Sequence, residues 1–147
     1  MSSKKLLFCI LDSEYSVASG NQHQTISTFC GQRGYSKGFY GTEDQSTIQS
    51  GLYLESKIST LDLKYGGIVI YSIYQYKACV NFYSLIKTLI RNGKVFCSAS
   101  ENIVLANEHQ FDDFFEHATL SSISLDNREL CRTILTDKYS RVHSVLE

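Results

Sequence analysis

Proline is absent from the 147 residues, where average usage would place about seven. A cis-proline turn and a proline-limited folding phase are therefore both excluded. No charge of either sign dominates: 14 basic residues stand against 15 acidic ones, for a net charge of -1. Five of the basic residues are arginine. This is not the basic stripe by which nucleic-acid modules hold phosphates, so no nucleic-acid partner is expected. Long apolar runs are missing as well. The longest, Leu6 to Leu11 and Gly66 to Tyr71, fall far short of the roughly 20 residues that cross a bilayer. Met1 to Lys5 is followed by six apolar or thiol residues and then Asp12, too short for a secretory core and without a cleavage site. A cytoplasmic location and no membrane partner are expected.

The five cysteines, Cys9, Cys30, Cys79, Cys97 and Cys131, are scattered and contain no CxxC pair. Zinc and redox chemistry have little to stand on. Cys9 and Cys97 fall in expected strands and Cys30 in a helix, where a free thiol acts as a small buried hydrophobe. The glycine patterns of dinucleotide and P-loop sites are missing, and so is the Gly-x-Ser-x-Gly elbow.

What is present is globular: 43% hydrophobic and 20% charged residues, in a length that makes about one domain and buries a core without disulfides or metals. Lys4 to Leu11 is an unbroken apolar run, the pattern of a strand buried on both faces. Asp12 to Gly20 reads as a loop. Asn21 caps a helix carrying Ile26, Phe29 and Cys30, which Gly34 ends. Phe39 and Tyr40 mark a short strand closed by Gly41. Ser46 caps a helix with Leu54, Ile58 and Leu61 on one face. Gly66 to Tyr71 is the clearest strand, short and β-branched. A loop over Ser72 to Cys79 leads to a helix carrying Phe82, Leu85, Ile86 and Leu89, stopped at Asn92-Gly93. Lys94 to Ser98 is a fourth strand and Ile103 to Leu105 a short fifth. Phe111, Phe114, Phe115 and Ala118 share a face of a further helix, and the tail from Asp126 to about Tyr139 is helical.

Strands alternating with helices imply a parallel sheet with right-handed crossovers. The expected fold is a single α/β domain over residues 1–147, three-layered, with a four- to five-stranded mainly parallel sheet and helices on both faces. Residues 120–147 form a helical extension. Such sheets bind ligands beyond the carboxyl ends of their strands, where connection direction reverses. That rule gathers Asp12 and Ser13, Thr42 and Glu43, Tyr71, Ser72 and Gln75, and Ser98, Ser100 and Glu101. From these, Asp12, Ser13, Thr42, Glu43, Tyr71, Ser72, Gln75 and Glu101 are the candidate ligand-binding residues. Hydroxyl-rich ligands suit them better than phosphates, because carboxylates repel a dianion unless a metal bridges them.

Other readings compete. Asp12, Glu14, Glu43 and Glu101 are either paired carboxylates, for acid–base work or a magnesium ion, or plain solvated loop acids. His23-Gln24-Thr25 and His117-Ala118-Thr119 resemble the two motifs of two-histidine phosphoesterases. That family needs both on adjacent strands, whereas here both fall in helical patterns. Ser13, Ser16 and Ser19 read as turn-forming serines rather than nucleophiles. No metal site is expected, and neither a cofactor nor a catalytic residue is assigned.

Three stretches carry a closer resemblance: Gln22-His23-Gln24-Thr25-Ile26-Ser27-Thr28-Phe29-Cys30, Thr42-Glu43, and Gly67-Ile68-Val69-Ile70-Tyr71-Ser72-Ile73. In order and spacing they resemble the sporadic carbohydrate cluster proteins, a family found among bacterial surface-polysaccharide genes. The likeness runs from Leu7 to Glu116, about three quarters of the chain. That family is in turn similar to serine recombinase catalytic domains, so the resemblance implies a resolvase-like layout. Recombinases place Arg-Val-Ser after the first strand and Asp-Arg after the third. Here the chain reads Leu11-Asp12-Ser13 and Ile73-Tyr74-Gln75, without the arginines that steady a cleaved phosphate. The family's usual arginine in the first loop and its strand-end prolines are also missing.

The resemblance implies a cytosolic accessory protein of bacterial surface-polysaccharide biosynthesis. It would bind or modify a sugar or nucleotide-sugar ligand at the sheet's C-terminal edge. Whether it is an enzyme stays open. The alternative is a non-catalytic interaction module that docks on a glycan-biosynthesis enzyme or on a second copy of itself, for which ten tyrosines and eight phenylalanines give material. A polar pocket joining Asp12, Glu43, Tyr71 and Glu101 would favour the first. A flat apolar face carrying Tyr74 and Tyr76 would favour the second.

Overall fold

The computed structural model describes residues 5–126, with side chains described as far as His117. The unbroken apolar run near the N-terminus forms β1 (Lys5–Asp12), buried at every position from Leu7 to Asp12. Its neighbours are β2 (Tyr35–Glu43) on one side and β3 (Tyr65–Ile70) on the other. Beyond β3 lie β4 (Val95–Ser98) and then β5 (Ile103–Leu105), giving the order β2-β1-β3-β4-β5. The first four strands are parallel, and β5 runs antiparallel to β4. The α/β fold with a five-stranded, mainly parallel sheet is therefore as the sequence predicts. The chain steps from β1 out to β2 and then back across to β3, so direction reverses between β1 and β3.

Strand residues alternate between two faces. On one face Leu7, Cys9, Leu11, Val69 and Cys97 pack with Ile26, Phe29 and Cys30 of α1 (Ser19–Arg33). The alternate residues Phe8, Ile10, Ile68, Ile70 and Phe96 are buried on the other face. There Phe82 of α4 (Phe82–Arg91) meets Phe96 edge-on at 5.8 Å. Lys57 of α3 (Leu52–Thr60) lies 5.0 Å above the Phe8 ring. Helices thus cover both faces of the sheet. The β3 run is buried on both sides because it lies between β1 and β4.

Several boundaries differ from the sequence expectation. Helix α1 starts at Ser19, with Ala18 rather than Asn21 at its N-cap and no side-chain cap bond. Strand β2 is nine residues long rather than a Phe39-Tyr40 fragment. Glycines hide it: a Cβ on Gly38 would stand 2.6 Å from the Tyr65 ring, so the strand interrupts its apolar pattern where that ring crosses it. The β1–β2 register also shifts between Leu7 and Cys9, a bulge in the edge strand. The helix expected after Ser46 is two helices, α2 (Gln45–Ser50) and α3. Asp44 caps α2, with Thr47 completing a capping box. Gly51, at φ +71, turns the chain between the two helices, a conformation other residues resist. A short 3-10 turn, Ile73–Tyr76, occupies the loop after β3.

The chain divides into two compact units, the first ending at Glu108 and containing all five strands, the second beginning at His109. Helix α5 (Glu108–Asp126) carries Phe111, Phe114, Phe115 and Ala118, as expected. Of the expected extension over 120–147, residues up to Asp126 continue α5, which begins at Glu108. The helical tail to Tyr139, and Cys131 with it, lie outside the described residues. Among the described residues no helix is long and apolar enough to cross a membrane.

Candidate functional site

The carboxyl ends of β1 and β2 bring two acids together. Asp12 and Glu43 are register partners, so their side chains leave the sheet on the same face. Both are buried, each 2% exposed. The Glu43 carboxyl has one partner: the Tyr76 hydroxyl donates to Oε2 at 2.5 Å. Its other oxygen, Oε1, is buried with no hydrogen-bond partner. Burial pushes the Glu43 carboxyl up to about 7; the hydrogen bond from Tyr76 opposes the rise, and the charges of Asp12 and Asp44 add to it. The carboxyl is consequently poised to exchange a proton near neutral pH.

Tyr76 is held for this task by its own packing. Its ring stacks on Phe82 with centroids 4.8 Å apart. Burial, followed by the Glu43 charge, raises its hydroxyl well above the usual phenol range, so it stays a proton donor to Glu43. The Tyr53 hydroxyl crosses close above Gly41, where a Cβ would stand 1.7 Å from it. Burial and the Glu43 charge raise that phenol too. Glycine at 41 is what lets a second tyrosine approach this strand end.

The loop after β1 is fixed by Gln22, which is fully buried. Its Oε1 accepts from the Asp12 N–H at 3.0 Å, and its Nε2 donates to the carbonyls of Asp12 at 2.8 Å and Val17 at 2.7 Å. Oδ1 of Asp12 accepts from the Glu14 N–H at 2.9 Å, a local turn common for aspartate. Ser13 donates through both its N–H (2.9 Å) and its hydroxyl (3.0 Å) to the Glu43 carbonyl. That serine closes one strand end onto its neighbour.

A second polar cluster forms beyond β3 and β4. Ser72 donates to Oε2 of Glu101 at 2.8 Å. Oε1 of the same carboxylate accepts from the Ile73 N–H at 3.0 Å and from the Ser98 hydroxyl. Gln75 accepts from the Ser72 N–H at 2.8 Å, completing a capping box for the 3-10 turn. Both Glu101 oxygens are engaged, and the cluster ties the two strand-end loops together.

The sequence-predicted residues therefore separate. Asp12, Ser13 and Glu43 converge, while Ser72, Gln75 and Glu101 form the brace beside them. Tyr71 is half-buried and meets Tyr15 edge-on at 5.9 Å. Thr42 is exposed and pairs with Leu11, which points it to the α1 face, away from Glu43. Among the described residues no three His, Cys, Asp or Glu side chains are grouped to hold a metal ion.

Tyr76 and Gln22 are the residues a strand-end rule overlooks. Gln22 has a signal: it is the one amide in the buried stripe Gln22, Ile26, Phe29, Cys30. Tyr76 has none, because only the 3-10 turn swings it inward; Tyr74 is half exposed, so the two share no flat face. The histidines of the two H-x-T motifs lie in α1 and α5 rather than on strands. Burial pushes the Cys9 and Cys97 thiols up to about 12, which keeps them protonated in the core.

Comparison with known proteins adds no assignment to this geometry: no family model, no curated protein and no solved structure matches the chain.

Proposed function

We propose that the protein binds or modifies a small sugar-related ligand at the carboxyl edge of its sheet, with Glu43 and Asp12 receiving ligand hydroxyls. The observation that carries this reading is the buried, unpartnered Oε1 of Glu43. A polar atom left unpaired in the interior costs on the order of 1–3 kcal/mol, and a ligand hydroxyl reaching it would recover that cost. The location supports the reading, since the acids stand at the ends of β2 and β1, and β1 borders the reversal between β1 and β3. The two adjacent acids favour a neutral hydroxyl over a phosphate at this point. The sequence resemblance supplies the setting: a cytosolic accessory protein of bacterial surface-polysaccharide biosynthesis, in a resolvase-like layout, acting on a sugar or nucleotide sugar.

A thermal-shift screen of neutral monosaccharides and glycosides tests this, because a ligand that binds the folded state raises its apparent stability by mass action. The expected result is stabilisation by one chemical series in the native protein, lost in Glu43→Gln and reduced in Asp12→Asn. If no compound stabilises the native protein, or the two variants respond as it does, the reading fails. Docking on a glycan-biosynthesis enzyme is then the better account, and the exposed Phe39 and Tyr40 rings favour it.

A further inference from the structure

The β2 edge of the sheet carries a groove of about 440 Å³, walled by His23, Phe39, Tyr40, Lys64 and Tyr65. That volume is within the range of small-molecule sites. The bulge between Lys37 and Tyr40 gives the strand an extra residue here. Phe39 and Tyr40 are left 72% and 57% exposed as consecutive residues. Two adjacent bare rings on a strand edge mark a surface made for contact.

The groove is also cationic. Lys64 places its ammonium 5.6 Å from the Phe39 ring centre and 5.3 Å from that of Tyr65. Behind Tyr40, whose ring meets His23 edge-on at 5.0 Å, Lys37 donates to Nδ1 of His23 and, at 2.7 Å, to the Ser27 hydroxyl. The Lys37 ammonium thus stands against His23, which forms one wall of the groove. Among the described residues no carboxylate pairs with Lys37 or Lys64.

We propose that this groove binds a nucleoside phosphate, the base lying against Phe39 and Tyr40 and the phosphate drawn to Lys64 and the His23–Lys37 pair. Aromatic faces stack bases of any identity, and ammonium groups meet the phosphate. A neutral sugar would leave both lysines unpaired, and inorganic phosphate would leave both rings bare. A second copy joined edge to edge would bring the same lysines face to face. The bulge disrupts the regular ladder that an added peptide strand needs. The site is independent of Glu43, which leaves β2 on the opposite face from Tyr40.

Calorimetric titration of the full chain with uridine and adenosine 5′-monophosphates tests the assignment, with uridine and inorganic phosphate as partial ligands. Both nucleotides are expected to bind, and each partial ligand about tenfold or more weakly. Tyr40→Ala is expected to weaken the nucleotides about tenfold and Lys64→Gln several-fold, with affinity falling as salt rises. Both side chains are exposed, so the variants keep the fold. Glu43→Gln is expected to leave nucleotide affinity unchanged, which separates this site from the sugar site. Absence of nucleotide binding overturns the proposal. So does binding that Tyr40→Ala and Lys64→Gln leave intact, or that Glu43→Gln abolishes.

Discussion

The Tyr76 hydroxyl donates a hydrogen bond to Oε2 of Glu43 at 2.5 Å, while Oε1 of the same carboxyl is buried without a partner. Half of the hydrogen-bonding capacity of one acid is thus satisfied by the fold and half is not. Glu101, the acid in the loop after β4, has both oxygens engaged. The contrast separates a carboxylate that braces loops from one left open to chemistry.

The raised Glu43 carboxyl sets a pH dependence of stability. A glutamate titrates near 4.5 when unperturbed and near 7 here. Between those values the folded state holds a proton that the unfolded state has lost. The stabilising contribution is complete below pH 4.5 and is lost as pH rises through about 7. Its size is on the order of 2–3 kcal/mol. Urea unfolding of the native protein and Glu43→Gln at pH 4.5 and pH 8 measures it. The variant is expected to gain that amount relative to the native protein between the two pH values; a constant difference would count against the assignment.

Tyr76→Phe keeps the ring that stacks on Phe82 and removes the hydroxyl. Glu43 then has neither oxygen bonded. Destabilisation of about 1–3 kcal/mol is expected. The Glu43 titration should also move further up, since the lost bond was the influence holding it down. Calorimetric melting across pH reads both effects, and a variant as stable as the native protein would show that the hydroxyl contributes nothing.

Gln22→Leu removes three hydrogen bonds to the backbone of the β1 loop at once. The Asp12 N–H and the carbonyls of Asp12 and Val17 lose their side-chain partner. A loss on the order of 3 kcal/mol is expected. Faster amide exchange should be confined to the loop between Asp12 and Ser19. Unchanged exchange there would show that the loop is held by something else.

Ile68 is fully buried in β3, between β1 and β4. Ile68→Asp places an unpaired charge in the core and is expected to abolish soluble expression. Ile68→Ala should fold with about 2–5 kcal/mol less stability. Normal yield and melting of both variants would place the strand at an edge.

The parallel sheet was legible because its strands announce themselves. Leu6 to Leu11 and Gly66 to Tyr71 do not alternate, and only a sheet covered on both faces accepts such runs. Strand β2 was nearly invisible because its residues answer to tertiary neighbours rather than to a strand pattern. Gly38 and Gly41 make room for Tyr65 and Tyr53, and a bulge breaks the period. The pairing of Asp12 with Glu43 followed from their places at strand ends. The Tyr76 contact did not, because a 3-10 turn has no apolar period to reveal which of its tyrosines faces inward. Thr42 shares the strand end with Glu43 but not its face, because alternation sends successive residues to opposite faces, which the strand-end rule ignores.

The most direct test of the account is a carbon-13 titration of the Glu43 side-chain carboxyl, assigned by its loss in Glu43→Gln. A midpoint near 7 is the predicted result, with the Tyr76→Phe variant titrating higher. A midpoint near 4.5 would show a carboxylate solvated like any surface acid, and would contradict both the buried, half-satisfied state of Glu43 and the ligand site built on it.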